Sequence, residues 1–192
     1  MVWSCLVSIL PGMAQTEKLT DYVNPFVGTD GYGNVYPGAQ IPFGGIQISP
    51  DTDSRFYDAA SGYKYNHLTL MGFSLTHLSG TGIPDLGDFL FIPGTGEMKL
   101  EPGTHEDPDQ GYRSRYSHDK EWASPNYYAV ELADYGVKAE MTSGVRSGMF
   151  RFTYPESDNA FIMIDMNYTL WQSCEWSNLR MINDSTITGY KL

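Results

Sequence analysis

The chain has little cysteine, little positive charge and no long apolar run, and each shortage removes a class of explanation. Its 192 residues hold two cysteines, Cys5 and Cys174, and Cys5 falls in a short apolar stretch at the N-terminus. One remaining cysteine makes no intrachain disulfide, so stability does not come from that route. Lys and Arg number 12 against 23 Asp and Glu, a formal net charge of -11. Such a chain repels phosphate backbones and anionic headgroups, which argues against nucleic acid as a partner. No apolar stretch reaches the length of a membrane span, and the mature chain is expected to be soluble. A sustained helical period is also missing.

Generic catalytic motifs are missing too. Gly31-Tyr32-Gly33 and Gly80-Thr81-Gly82 lack the third glycine and the strand-to-helix context of a dinucleotide fingerprint, and no Walker lysine follows either. Leu78-Ser79-Gly80-Thr81-Gly82 is not a nucleophile elbow, because no glycine stands two residues before Ser79. His67, His77, His105 and His118 show no zinc spacing. Asp51-x-Asp53 opens like a calcium loop, but Arg55 takes a ligand place and the glycine is absent.

What is present begins with Val2 to Leu10, VWSCLVSIL, followed by Gly12 and Ala14. This reads as the apolar core and small-residue cleavage site of a secretory signal peptide spanning residues 1–14, without a basic leader. Secretion or export to a periplasm is the expected localisation. Lipid anchoring at Cys5 is the poorer reading, since almost no apolar run precedes it.

Past the leader, glycine, proline and aromatic residues crowd Asp21 to Asp53, leaving room for one short strand at Gly45 to Ser49. Leu68 to Phe73 and Phe89 to Ile92 are the next strand candidates, and Lys99 to Gln110 is an acidic connector. Further on the pattern becomes regular. Tyr127 to Leu132 and Val137 to Met141 flank a turn holding Gly136, Gly148 to Tyr154 and Ala160 to Asp165 flank Pro155 to Asn159, and Ser177 to Ile182 and Thr186 to Tyr190 flank Asn183-Asp184-Ser185. Alternating runs at short, turn-punctuated spacing predict an all-β fold, an antiparallel β-sandwich over residues 19–192 with long glycine-rich loops. The last run stops in mid-strand at Leu192, from which a longer parent chain is expected.

The centre of this organisation is Gly72 to Asp88, GFSLTHLSGTGIPDLGD. Four glycines let main chain approach another surface closely, and His77, Ser79, Thr81, Asp85 and Asp88 place polar groups around that approach. Glycoside hydrolysis needs a pair of carboxylates at a set separation. Asp30, Asp51, Asp53, Asp58, Asp85 and Asp88 are the loop carboxylates in question, although acidic loop residues more often cap turns.

Read in order, Tyr22-Val23-Asn24-Pro25-Phe26-Val27-Gly28-Thr29-Asp30, Gly33-Asn34-Val35-Tyr36-Pro37-Gly38-Ala39, Ser49-Pro50-Asp51, Ser61-Gly62-Tyr63 and Gly72-Phe73-Ser74-x-Thr76-His77-Leu78-Ser79-Gly80-Thr81-Gly82 resemble the amino-terminal domain of glycoside hydrolase family 92, a family of bacterial exo-acting α-mannosidases, many cleaving α-1,2 linkages. The resemblance continues through Ala123-Ser124-Pro125 and Asp134-Tyr135-Gly136-Val137-Lys138-Ala139-Glu140. It implies a two-domain, calcium-dependent, inverting enzyme. The sandwich packs on an (α/α)6 barrel that carries the acid, the base and the calcium ligands, so no catalytic or metal residue is expected in this chain. The substrates implied are α-mannoside glycans of N-glycan or mannan type. The resemblance also implies that sandwich loops line the sugar pocket. An aromatic before an Asp, ahead of Ser-Gly-Tyr, maps onto Tyr57-Asp58, with His77 and Thr81 beside it. The competing reading is a free-standing carbohydrate-binding module that works without a barrel.

Overall fold

The computed structural model describes residues 17–54 and 57–192, without the side chain of Asp58. The expected leader at 1–14 and Cys5 lie outside the described residues. Among these residues twelve strands run in chain order: β1 (Ser49–Asp51), β2 (Thr69–Leu70), β3 (Gly72–Ser74), β4 (Leu90–Thr95), β5 (Ser114–Arg115), β6 (Glu121–Ser124), β7 (Tyr127–Leu132), β8 (Val137–Ser143), β9 (Gly148–Thr153), β10 (Ala160–Asp165), β11 (Ser177–Asn183) and β12 (Thr186–Lys191). Among the described residues, helical structure is confined to short 3-10 turns. Two four-stranded sheets, ordered β1-β3-β4-β10 and β6-β7-β8-β9, carry the fold, with two-stranded pairs β2-β5 and β11-β12 beside them. Every pairing among the described residues is antiparallel. The all-β, antiparallel expectation holds.

Alternation along each strand explains how the sheets meet. On β7 and β8 the inward residues Tyr128, Val130, Leu132, Val137, Ala139 and Met141 are buried in one cluster with Ile48, Leu70 and Phe73. The outward positions Trp122, Tyr127, Lys138 and Glu140 are polar or amphipathic, as a sheet with one wet face requires. Phe73 on β3 and Phe91 on β4 face Phe150 across the core at ring separations of 6.4 and 5.0 Å. On the opposite face of β4, Leu90 and Ile92 join Met71, Tyr112, Tyr168 and Leu170 in a second cluster.

One expected hairpin is not a hairpin. Gly148–Thr153 pairs with β8, whereas Ala160–Asp165 pairs with β4 in the other sheet. Pro155 has no N–H to continue a ladder, and Phe150 and Phe152 reach the core from the sheet opposite Phe73. Residues 155–159 therefore carry the chain from one sheet to the other. The early strand at 45–49 is also displaced. Ile48 makes only an isolated bridge to Ala39, and the strand proper begins at Ser49.

Candidate functional site: a loop edge around Tyr57

Three loop segments meet around β1 and β3, and each has a local reason to be there. Asp51, at the end of β1, is fully buried. Its Oδ2 accepts from the Ser74 amide at 3.0 Å, and its Oδ1 lies 3.0 Å from Nε2 of His77. Nδ1 of His77 faces the Gln47 carbonyl at 2.7 Å. A carbonyl only accepts, so Nδ1 carries a hydrogen. Nε2 is the nitrogen left to face Asp51. Ser74 Oγ, 3.0 Å from the same nitrogen, completes the knot. Gly62 passes so close that a Cβ there would lie 2.1 Å from Asp51 Oδ1, and its φ of +84 is one that side chains rarely adopt.

Residues 62–65 are the hub of the edge. Gly62 O accepts from the Thr52 amide at 2.7 Å, Tyr63 donates its hydroxyl to Glu121 at 2.9 Å, and the Tyr65 amide donates to Thr29 O at 2.9 Å. The Lys64 ammonium donates to Gly31 O and sits over the Tyr32 ring. Glu121, on β6, is buried and also accepts from Tyr128 at 2.5 Å, while its Oε2 lies 2.6 Å from Nδ1 of His118. The His118 ring stacks on Tyr65 with centroids 3.9 Å apart. Burial, reinforced by the neighbouring phenol Tyr116 and the charge of Glu121, pushes the Tyr63 hydroxyl far above the ordinary tyrosine range.

Tyr57 stands at the rim of this hub, 61% exposed, in the 3-10 turn Tyr57–Ala59. Its hydroxyl approaches Gly82, where a Cβ would be only 2.8 Å away. The Tyr57 turn and the second glycine-rich loop are thus neighbours. Thr81, in that loop, accepts from the Ile83 amide at 3.1 Å and shapes the local turn. His77 lies beneath, buried, with both ring nitrogens occupied within the fold. The first glycine-rich segment is tied in through the Gly80 amide, which donates to Asn34 O at 2.7 Å. Tyr57, Thr81 and His77 therefore belong to one edge, two at its surface and one as its support.

The loop carboxylates are dispersed. Asp53 pairs with His105 at 3.3 Å, Asp88 with Lys191 at 3.0 Å and with the Thr76 hydroxyl at 2.9 Å, and Asp85 accepts from the Leu86 amide at 2.8 Å. Among the described residues no group of three or more carboxylate, imidazole or thiol side chains stands placed to hold a metal ion.

One surface residue of this edge is invisible to sequence reasoning. Trp171 is 61% exposed, and its amide donates to Ser54 O at 3.1 Å, just before the Tyr57 turn. No composition or spacing marks it, because it reaches the edge through backbone bonds to distant residues.

Against this geometry, residues 22–192 match the glycosyl hydrolase family 92 N-terminal domain. Over 91% of its length the chain superposes, with a TM-score of 0.90 and 99% identity, on 24% of a family GH92 alpha-mannosidase from Bacteroides thetaiotaomicron. That protein has also been solved in complex with mannoimidazole. A family GH92 inverting mannosidase from the same species is 27% identical, with a TM-score of 0.62 over 78% of this chain and 20% of that one. A protein described as an uncharacterized secreted glycosidase from Arthroderma benhamiae is 30% identical over 139 residues, 71% of this chain and 17% of that protein. The chain spans about a quarter or less of the length of these relatives. With the matched region running through almost all of its described residues, the chain belongs to glycosyl hydrolase family 92, as an N-terminal domain.

Proposed function

We propose that this domain is one wall of the mannoside pocket of a secreted or periplasmic, calcium-dependent, inverting exo-α-mannosidase, acting on α-1,2-linked glycans and exported by the leader at 1–14. In this reading the domain of residues 19–192 packs on a helical (α/α)6 barrel that carries the acid, the base and the calcium. The observation that carries the reading is the edge itself: an exposed Tyr57 at the junction of the Tyr57 turn and the second glycine-rich loop, in a chain of this family. Support for the finer points comes from relatives: an α-mannosidase solved with mannoimidazole, an inverting mannosidase, and a glycosidase named as secreted.

The chemistry assigned to these residues is recognition. The flat ring of Tyr57 takes the C–H face of a mannose unit, Asp58 and Thr81 offer hydrogen bonds to its hydroxyls, and His77 holds their loops through Asp51 and Gln47. In this reading calcium belongs to the barrel, and Asp51 and Asp53 serve the wall itself through His77 and His105. An inverting pair needs carboxyl groups about 6.5–9.5 Å apart across a sugar ring, held by rigid neighbours. Asp51, Asp53, Asp85 and Asp88 are bound into turns and ion pairs of their own.

On β4, β10, β11 and β12 and their flanks lies an apolar groove of about 380 Å³ lined by Phe89, Phe91, Ile164, Met166, Leu179 and Ile187. Met181, Ile187 and Leu179 are about half exposed or more. Apolar surface of this extent favours a part that packs against more protein over a free-standing sugar-binding module. The test is a paired assay of the purified chain and a full-length protein carrying it, on α-1,2-mannobiose with calcium. The full-length protein should release mannose and the chain alone should not. Release by the chain at a comparable rate would put the acid and base among its own carboxylates and end this reading.

A further inference from the structure

Trp171 is held in a backbone conformation that a bulky side chain avoids, and it is held there at the edge just described. Its φ is +73, and most of its surface is open to solvent. Residues persist in the left-handed region only where their surroundings over-determine them, and such positions concentrate at binding sites. The surroundings here are specific. Leu170, fully buried in the second core cluster, donates its amide to Leu86 O at 2.8 Å. Trp171 donates its own to Ser54 O at 3.1 Å. Gly87 makes this approach possible: it has φ +79, and a Cβ there would lie 2.8 Å from Leu170 Cγ and 3.0 Å from the Leu170 nitrogen.

The segment around Trp171 is therefore stitched to both loops that bring Tyr57 and Thr81 together, Ser54 preceding the Tyr57 turn and Leu86 following Thr81. Fold stability does not explain the choice of residue. A glycine would adopt φ +73 without cost, and an exposed indole adds little to a core. An exposed indole does offer a broad, rigid apolar face with a hydrogen-bond donor at its rim, which matches the C–H face of a hexose. The formal charge of -11 on the chain turns away anionic ligands that could also stack, such as nucleotides.

We propose that Trp171 is a sugar-binding residue, a second aromatic platform beside Tyr57 that takes the adjoining hexose of an α-mannoside glycan. This rests on the reading of the Tyr57 edge as a mannoside site. Two platforms carried on separate backbone segments match two successive sugar rings, so Trp171 acts on the leaving sugar and the identity of the leaving group sets how much it contributes.

The test uses a full-length protein carrying this domain and two substrates, α-1,2-mannobiose, whose leaving group is a sugar, and α-mannosyl fluoride, whose leaving group is a single atom. Trp171→Gly should lower kcat/KM for mannobiose about tenfold and leave the fluoride unchanged. Its Tm should be equal or higher, because glycine accepts the left-handed backbone. Trp171→Phe should restore most of the loss. Unchanged kinetics on mannobiose, or an equal loss on both substrates, overturns the inference, as does a lowered Tm accompanying the loss. Tyr57→Ala, measured alongside, keeps the two claims apart. Loss in Tyr57→Ala with none in Trp171→Gly overturns only the role of Trp171, and no loss in either overturns the Tyr57 pocket on which it rests.

Discussion

Asp51 Oδ1 and His77 Nε2 lie 3.0 Å apart with both side chains fully buried, and this pair joins β1 to the second glycine-rich loop. Removing one member leaves a buried polar or charged group without its partner, which costs about 3–5 kcal/mol. Asp51→Ala should lower the free energy of unfolding by that amount, read from urea denaturation of the chain. A loss below about 1 kcal/mol would be the size of a surface pair, and would show that the pair does not hold the loop.

Glu121 plays the matching part on the other side of the loop, gathering the hydroxyls of Tyr63 and Tyr128 and the ring of His118. Tyr63→Phe deletes one hydrogen bond to a carboxylate and should cost about 1.5–3 kcal/mol. Native-state hydrogen exchange gives the sharper readout. The amides of Thr52 and Tyr65, which donate to Gly62 O and Thr29 O, should exchange faster in the variant. Unaltered exchange at both would separate Tyr63 from the hub.

Glu140 gives the chain an acid-sensitive element away from the loops. The Arg151 guanidinium, donating at 2.6 and 2.8 Å, and then the Tyr127 hydroxyl lower its pKa from 4.5 to about 2. A group whose folded value is depressed stabilises the fold above its unfolded value, and the contribution fades as pH falls through the folded one. The stability that Glu140 supplies should be complete above pH 4.5 and should disappear towards about pH 2. Glu140→Gln should therefore flatten the acid limb of the stability profile between those values. An acid limb identical to the parent's would contradict the assignment.

What the sequence made legible follows from how local each cause is. The hairpin of β7 and β8 was readable because its cause lies within it, alternating side chains around a turn at Gly136, whose φ is +64. Residues 148–165 misled for the opposite reason, since the partners of β9 and β10 are chosen by Phe73, Phe91 and β4, which lie far back in the chain. Asp51 reads as a loop acid among Pro50, Thr52 and Asp53, yet it is buried because Ser74 and His77 fold over it. Tyr57 was reached through family resemblance and Trp171 not at all. The place of Trp171 depends on Gly87 admitting Leu170 and on Ser54 accepting from the Trp171 amide, contacts that no periodicity encodes.

The Tyr57 edge is proposed to bind the sugar on which a full-length enzyme acts. The most direct measurement is kcat/KM on α-1,2-mannobiose for Tyr57→Ala in a full-length protein carrying this domain, with far-UV circular dichroism to establish that the variant is folded. Loss of a stacking contact worth about 1.5 kcal/mol corresponds to roughly a tenfold fall. A tenfold or greater fall in a folded variant is the predicted result, and kinetics indistinguishable from the parent would contradict the account.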